Sequence, residues 1–255
     1  MTFDLVVASV DRVAPLRQLF SSLVRQTHND FRVLLVDQND DDRVLEVMGE
    51  HPSLRIERLR SQRGLARARN AALPRLEADV VAFPDDDCVY PPDLLERVAR
   101  RIAALDGVTG RADDSPRWKE DAATLTRDNL WNRAISFTIF LRRSIVERVG
   151  AFDEQLGLPA SSGEETEYLI RALDAGARIE YDPTLLVHHA RKDVHLTALG
   201  AREGASIGYI LRKHRYPART VARMFVRPAV GIVLEPRRAG FHLATLRGRV
   251  RGYRS

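Results

Sequence analysis

The sequence predicts an α/β fold: a mostly parallel sheet flanked by helices, followed by a basic helical C-terminal extension. Three observations predict it. Short, nearly all-apolar runs alternate with amphipathic stretches through the first half of the chain, the pattern of strands covered by helices on both faces. Three of these runs end at or just before a polar residue, Ser9, Asp37 and Asp85, where sheets of this kind gather ligands. The charge is also lopsided: residues 196–255 hold 13 Arg and Lys against 2 Asp and Glu, whereas residues 1–195 hold 27 against 33.

Each element follows from its pattern. Residues 4–9 (D-L-V-V-A-S) form the first strand, and Leu16, Leu19, Phe20 and Leu23 recur at helical spacing in the stretch behind it. Phe31 to Val36 is the second strand, ending at Asp37, with a helix over Arg43 to Gly49. Strands over Leu54 to Leu59 and Val80 to Phe83 alternate with helices over Leu65 to Leu73 and Pro92 to Leu105. The second half is less regular: a strand over Ala134 to Leu141, a helix over Arg143 to Val149, a loop of small residues from Gly157 to Gly163, and a helix from Glu164 to Ala175. Two short strands follow, Arg178 to Tyr181 and Thr184 to Val187. From residue 196 the chain reads as basic helices broken at Pro217, Pro228 and Pro236.

A chain of 255 residues can bury a sizeable core without staples. Its single cysteine, Cys88, excludes an internal disulfide framework and a multi-cysteine zinc site, and fits a reducing compartment. The start of the chain lacks the features of a secretory signal, and no apolar run reaches membrane-spanning length, so the expectation is a cytoplasmic protein.

Four stretches can carry chemistry, and each has a plainer reading beside the functional one. Asp85, Asp86 and Asp87 are a solvated loop leading to a helix start, or a divalent-cation site with Asp85 and Asp87 on one side of an extended segment and Asp86 turned the other way. The stretch S-Q-R-G-L-A-R-A-R-N (61–70) is a helix with a basic face, or a phosphate-binding turn at a helix N-terminus; it lacks Walker spacing. Glu164 and Glu165 cap a helix, position a general base, or do both. His188 and His189 are packed or surface histidines, or contribute a metal or phosphate ligand.

Taken in order, V-V-A-S-V-D-R, V-L-L-V-D, G-L-A-R-A-R-N, F-P-D-D-D-C-V-Y-P, R-R-S-I-V-E-R-V-G-A-F-D-E-Q-L and G-E-E-T-E-Y resemble glycosyltransferase family 2, the inverting nucleotide-sugar transferases of the GT-A, Rossmann-like fold, across residues 3–190. The resemblance implies a catalytic domain over residues 1–195, its nucleotide-binding part about 1–110 and its acceptor-binding part about 111–195, with residues 196–255 as the extension. It further implies a nucleotide site of Ala8, Ser9, Asp37, Arg69, Asp85 and Asp86, with Asp37 accepting from a uracil or thymine base. Mn²⁺ or Mg²⁺ is implied at Asp87 and Asp85, with His188 or His189 on the far side. Glu165, or in its place Glu164, is implied as the base that activates an acceptor hydroxyl. Val10 stands where the family often stacks an aromatic residue, Glu165 where it has Asp, and Pro84 where it often has Leu.

The resemblance names a nucleotide-sugar donor and a carbohydrate or lipid-linked acceptor as partners, in surface polysaccharide or glycolipid assembly. Trp118 and Trp131 are candidates to stack on a sugar. Apolar residues interleaved with the extension's arginines suit an anionic membrane at the inner face of the plasma membrane, or packing on the core or in a homodimer. Aromatic residues there are too sparse for nucleic acid. A nucleotidyltransferase would carry a glycine-rich, lysine-containing first loop, which V-A-S-V-D-R lacks; a non-catalytic nucleotide-sugar or glycan-binding module would not need both Asp87 and Glu165.

Overall fold

A computed structural model describes residues 1–113, 117–157, 162–189 and 195–255. The chain divides into two compact units, one of Met1–Phe152 with Tyr168–Arg191, the other of Asp153–Glu167 with Lys192–Ser255.

The first unit is the α/β body. Its strands are β1 (Phe3–Ser9), β2 (Phe31–Asp37), β3 (Ile56–Arg60), β4 (Val80–Ala82), β5 (Cys88–Val89), β6 (Gly107–Ala112), β7 (Ala123–Thr124), β8 (Ile139–Arg142) and β9 (Ile179–His189). The sheet order is β3-β2-β1-β4-β8-β6-β9-β5, with β7 on β9. From β3 to β4 every pair is parallel; beyond β4 the pairing is antiparallel except for β6 on β9. Helices α1 (Val13–Val24), α2 (Arg43–Gly49), α3 (Leu65–Ala72), α4 (Leu94–Arg101) and α5 (Arg143–Val149) flank it. β1 is apolar on both faces because both are covered; its one charge, Asp4, accepts from Arg32 at 2.6 Å and from the backbone N–H groups of Glu77 and Ala78.

The first half matches the sequence expectation within a residue or two at most ends, except that β5 was not expected and α4 stops at Arg101, short of the expected Leu105. The second half departs from it in four places. β6 and β7 were not expected, because G-V-T-G-R-A has two glycines and a charge and lacks an apolar run. Gly110 permits β6 to close on β9, since a Cβ there would overlap the Leu185 carbonyl, and the register shifts at this point. The expected strand from Ala134 is a 3₁₀ turn over Ser136–Thr138 before β8 begins. The two expected short strands are one, β9, which runs through Pro183.

Helix α6 (Glu164–Asp174) begins in the second unit and ends in the first. The other helices of the second unit are α7 (Leu196–Lys213), α8 (Ala218–Leu234) and α9 (Ala239–Arg254). α7 and α9 meet along glycines: Gly200, Gly204 and Gly208 on one, Gly248 and Gly252 on the other, each with the partner's backbone where a Cβ would stand. The expected break at Pro228 does not occur, and α8 passes through it. Proline removes the N–H that would bond the Met224 carbonyl, and the buried Arg249 of α9 donates to that carbonyl instead.

Candidate active site

The acidic triplet leaves β4 in a tight turn. The Cys88 N–H donates to the Asp85 carbonyl at 3.2 Å, and Asp85 forms an isolated parallel bridge with Ala8 at the end of β1. The chain is therefore not extended here, contrary to the alternation argument. Asp85 and Asp87 meet nonetheless, because β5 pairs with the end of β9, Cys88 against His189. An oxygen from each carboxylate and a ring nitrogen of His189 lie within 4.8 Å of one another. His189 Nε2 is 3.2 Å from Asp87 Oδ1, and its ring stacks on Phe137 with centroids 4.7 Å apart. Ser136 Oγ donates to Asp85 at 3.1 Å, and the Arg69 guanidinium lies 3.6 Å from the same oxygen. Two carboxylates and an imidazole form a donor set that suits Mn²⁺ and, through the oxygens, Mg²⁺.

Asp86 is not a member of this group and is packed into protein rather than solvent. It is 4% exposed and accepts from Ser9 Oγ at 2.8 Å and from Arg12 Nη1 at 2.7 Å. Burial pushes its pKa up to about 6 against the pull of Arg12 and Ser9. The second terminal nitrogen of Arg12 donates to Asp87. Burial also raises the Cys88 thiol well above its ordinary value, so this neighbour is chemically quiet.

The two histidines separate. Successive strand residues face opposite ways, so only His189 joins the carboxylates, while the half-exposed His188 ring sits 2.7 Å from Asp113. The other Asp113 oxygen accepts the His189 backbone N–H at 2.9 Å, fixing the strand end that carries the imidazole.

Asp37 stands opposite Ser9 in the ladder, at the expected strand end. It is wholly buried and its oxygens are engaged: Asn39 donates to one through its backbone and side-chain amides at 2.9 and 2.7 Å, and Arg58 donates to the other at 2.9 and 2.6 Å. Four acceptances fill what a carboxylate offers. Arg69 is also buried, 2% exposed, between the rings of Phe83 and Phe152 at 5.6 and 5.4 Å.

Residues 4–150 match the family model of Glycosyl transferase family 2. The chain belongs to this family. Among curated members it is 29% identical over 209 residues to the Pre-mycofactocin glycosyltransferase of Mycobacterium tuberculosis, covering 72% of this chain and 42% of that protein. It is 23% identical over 252 residues to Glycosyltransferase AglE of Haloferax volcanii, covering 91% and 82%. The chain thus spans less than half the length of the first of these relatives. Among solved structures, the mannosyltransferase PcManGT of Pyrobaculum calidifontis, in complex with GDP-Man and Mn²⁺, superposes with a TM-score of 0.75 at 15% identity, covering 98% of this chain and 86% of that one. S. aureus TarS 1-349, in complex with UDP-GlcNAc, gives 0.64 at 17% identity, covering 100% and 92%. The likeness establishes the GT-A fold.

In the second unit, Glu164 and Glu165 open α6, where acidic side chains suit the helix N-terminus. Glu164 is 3% exposed and Glu165 half-buried. One helical turn on, the wholly buried Glu167 lies 2.8 Å from Lys213 and 3.1 Å from His214. Lys213 also lies 2.6 Å from Asp153, which accepts from the Tyr209 hydroxyl at 2.7 Å. The loop expected from Gly157 to Gly163 falls mostly on residues 158–161, outside the described residues, as do residues 114–116 of the acceptor stretch.

Arg12, Ser136 and Asp113 contact the candidate site residues and are not among those expected from the sequence. Arg12 had a signal, a cation just past the first strand end; Ser136 and Asp113 had none. Trp118, a candidate sugar platform, is instead part of the core at 5% exposure.

Proposed function

We propose that the chain transfers a sugar, a hexose or deoxyhexose, from a uridine or thymidine diphosphate sugar to a hydroxyl acceptor, with inversion at the anomeric carbon. The observation that carries the reading is the convergence of Asp85, Asp87 and His189 at the strand ends of a family 2 chain. Neighbours with Mn²⁺ and nucleotide-sugars in their descriptions support it. Asp85, Asp87 and His189 would hold Mn²⁺ or Mg²⁺, which when bound neutralises charge on the diphosphate leaving group. Ala8 and Ser9 line the nucleotide side, with Ser9 also securing Asp86. Asp37 serves the base site by fixing Asn39 and Arg58, and Arg69 holds Asp85. Glu165, or in its place Glu164, takes the acceptor hydroxyl proton as that oxygen attacks the anomeric carbon; the nucleoside diphosphate departs with the electrons of the broken bond.

A thermal-shift panel of UDP, dTDP, GDP and their sugars, with and without Mn²⁺, tests this. Stabilisation by a pyrimidine nucleotide that depends on Mn²⁺ is expected; failure of every pyrimidine nucleotide overturns the reading.

Residues 196–255 are proposed to hold this activity at an anionic membrane on the cytoplasmic side, near a lipid-linked acceptor for polysaccharide or glycolipid assembly. Support comes from α8, which exposes Val226, Val230, Val233 and Leu234 at helical spacing with Arg219, Arg223 and Arg227 on the same helix. No helix among the described residues is long and apolar enough to cross a membrane. Co-sedimentation with phosphatidylglycerol vesicles is expected for the full chain and lost in Val230→Glu/Val233→Glu. Sedimentation unchanged by these substitutions, or a dimer in solution that they dissociate without any vesicle binding, rejects the membrane assignment.

A further inference from the structure

The guanidinium of Arg12 divides two nitrogens between two carboxylates with different duties. Nη1 lies 2.7 Å from Asp86 Oδ1, and Nη2 donates to Asp87 Oδ2. Asp86 lies outside the group formed with His189, and its second oxygen is taken by Ser9. Asp87 belongs to that group. One arginine therefore links a carboxylate outside this group to a carboxylate inside it, the one that a divalent cation would claim.

The backbone behind Arg12 is held. Asp11 adopts a left-handed φ of 57°, its N–H donates to Asn39 at 2.7 Å, and its carboxylate accepts from Arg43 and Arg63 at 2.9 Å each. The Arg12 side chain is 33% exposed, whereas those of Asp86 and Asp87 are 5% and 3% exposed. The carboxylates are fixed and the guanidinium is the part with room to turn. Three adjacent acids need a compensating cation whenever no ion is bound, and Arg12 contacts two of them.

We propose that Arg12 is a resident counter-cation. It neutralises Asp87 before the divalent ion arrives, yields Asp87 to the ion while remaining on Asp86, and turns the released Nη2 toward a diphosphate oxygen of the donor. Arg12 is thus a positioning residue that competes with the metal and cooperates with the nucleotide. This rests on the metal and donor reading above and adds a sign that the reading does not contain.

The test is a pair of titrations on the full chain, wild type and Arg12→Ala: Mn²⁺ alone, followed by electron paramagnetic resonance of free Mn²⁺, then UDP at saturating Mn²⁺, followed by calorimetry. Removing Arg12 is expected to tighten Mn²⁺ by on the order of tenfold and to weaken UDP by on the order of tenfold, each the worth of about one charge-assisted hydrogen bond. Arg12→Lys keeps the charge but cannot span two carboxylates; it should shift both constants the same ways by less, and it serves if the alanine variant fails to fold. A merely structural arginine would weaken both ligands together, and that result, or an unchanged Mn²⁺ constant, overturns the proposal. Wild-type protein that binds neither Mn²⁺ nor UDP overturns the functional reading itself, and the Arg12 role with it.

Discussion

Two clusters of acids, one in each unit, look alike by composition and differ in kind. Asp86 and Asp87 share Arg12, and Asp153 and Glu167 share Lys213; both cations are 33% exposed. In the second unit each acid meets several fixed donors: Tyr209 and Lys213 for Asp153, Lys213 and His214 for Glu167. That cluster ties α7 to the two ends of the segment Asp153–Glu167. In the first unit oxygens of Asp85 and Asp87 converge with an imidazole. Buried charge alone therefore does not mark a site; convergent donor atoms around a common point do.

The two clusters should respond differently to substitution. Asp87→Ala should remove Mn²⁺ binding in calorimetry and lower turnover by on the order of a thousandfold, while Asp153→Ala leaves the Mn²⁺ constant unchanged. Equal effects on Mn²⁺ would erase the distinction. Glu165→Gln should lower kcat by roughly a hundredfold or more with nucleotide affinity retained, as expected of a base rather than a ligand-holding group. Loss of both would assign Glu165 a structural role. Gly204→Val in the second unit should destabilise by about 1–3 kcal/mol, because the new side chain meets the α9 backbone at Thr245, with Mn²⁺ binding unaffected; calorimetric melting and the Mn²⁺ titration read the two halves of that statement.

The smallest effect depends on pH. Burial raises the Asp153 carboxyl, but Lys213, Tyr209 and the Gln155 N–H outweigh it and hold the group below its ordinary 3.8. A depressed acid stabilises the fold above 3.8, and that contribution is lost as pH falls through the lower, folded-state value. Asp153→Asn should therefore cost about 2–4 °C of Tm near neutrality, with the gap to wild type closing at strongly acid pH. A gap constant across that range would show that hydrogen-bond geometry matters there and ionisation does not.

Much of the fold was legible because its signals are local. β1, β2 and β4 are apolar runs ending near Ser9, Asp37 and Asp85, and α1 repeats Leu16, Leu19, Phe20 and Leu23. What escaped depends on distant partners. β6 is a strand because Gly110 accommodates β9, and the triplet closes on His189 because Cys88 pairs across the chain. Asp37 was placed at the right strand end, yet no local pattern shows Asn39 and Arg58 filling its oxygens. Pro228 looked like a break because the rescue of the Met224 carbonyl comes from another helix.

The pairing of Cys88 with His189 also bears on how the protein is made. Among the described residues β9 is the last strand, and it is the partner of β5, so the imidazole joins the two carboxylates only after everything between them has been synthesised and threaded into the sheet. A ribosome-bound chain short of residue 189 carries the acids without their third companion.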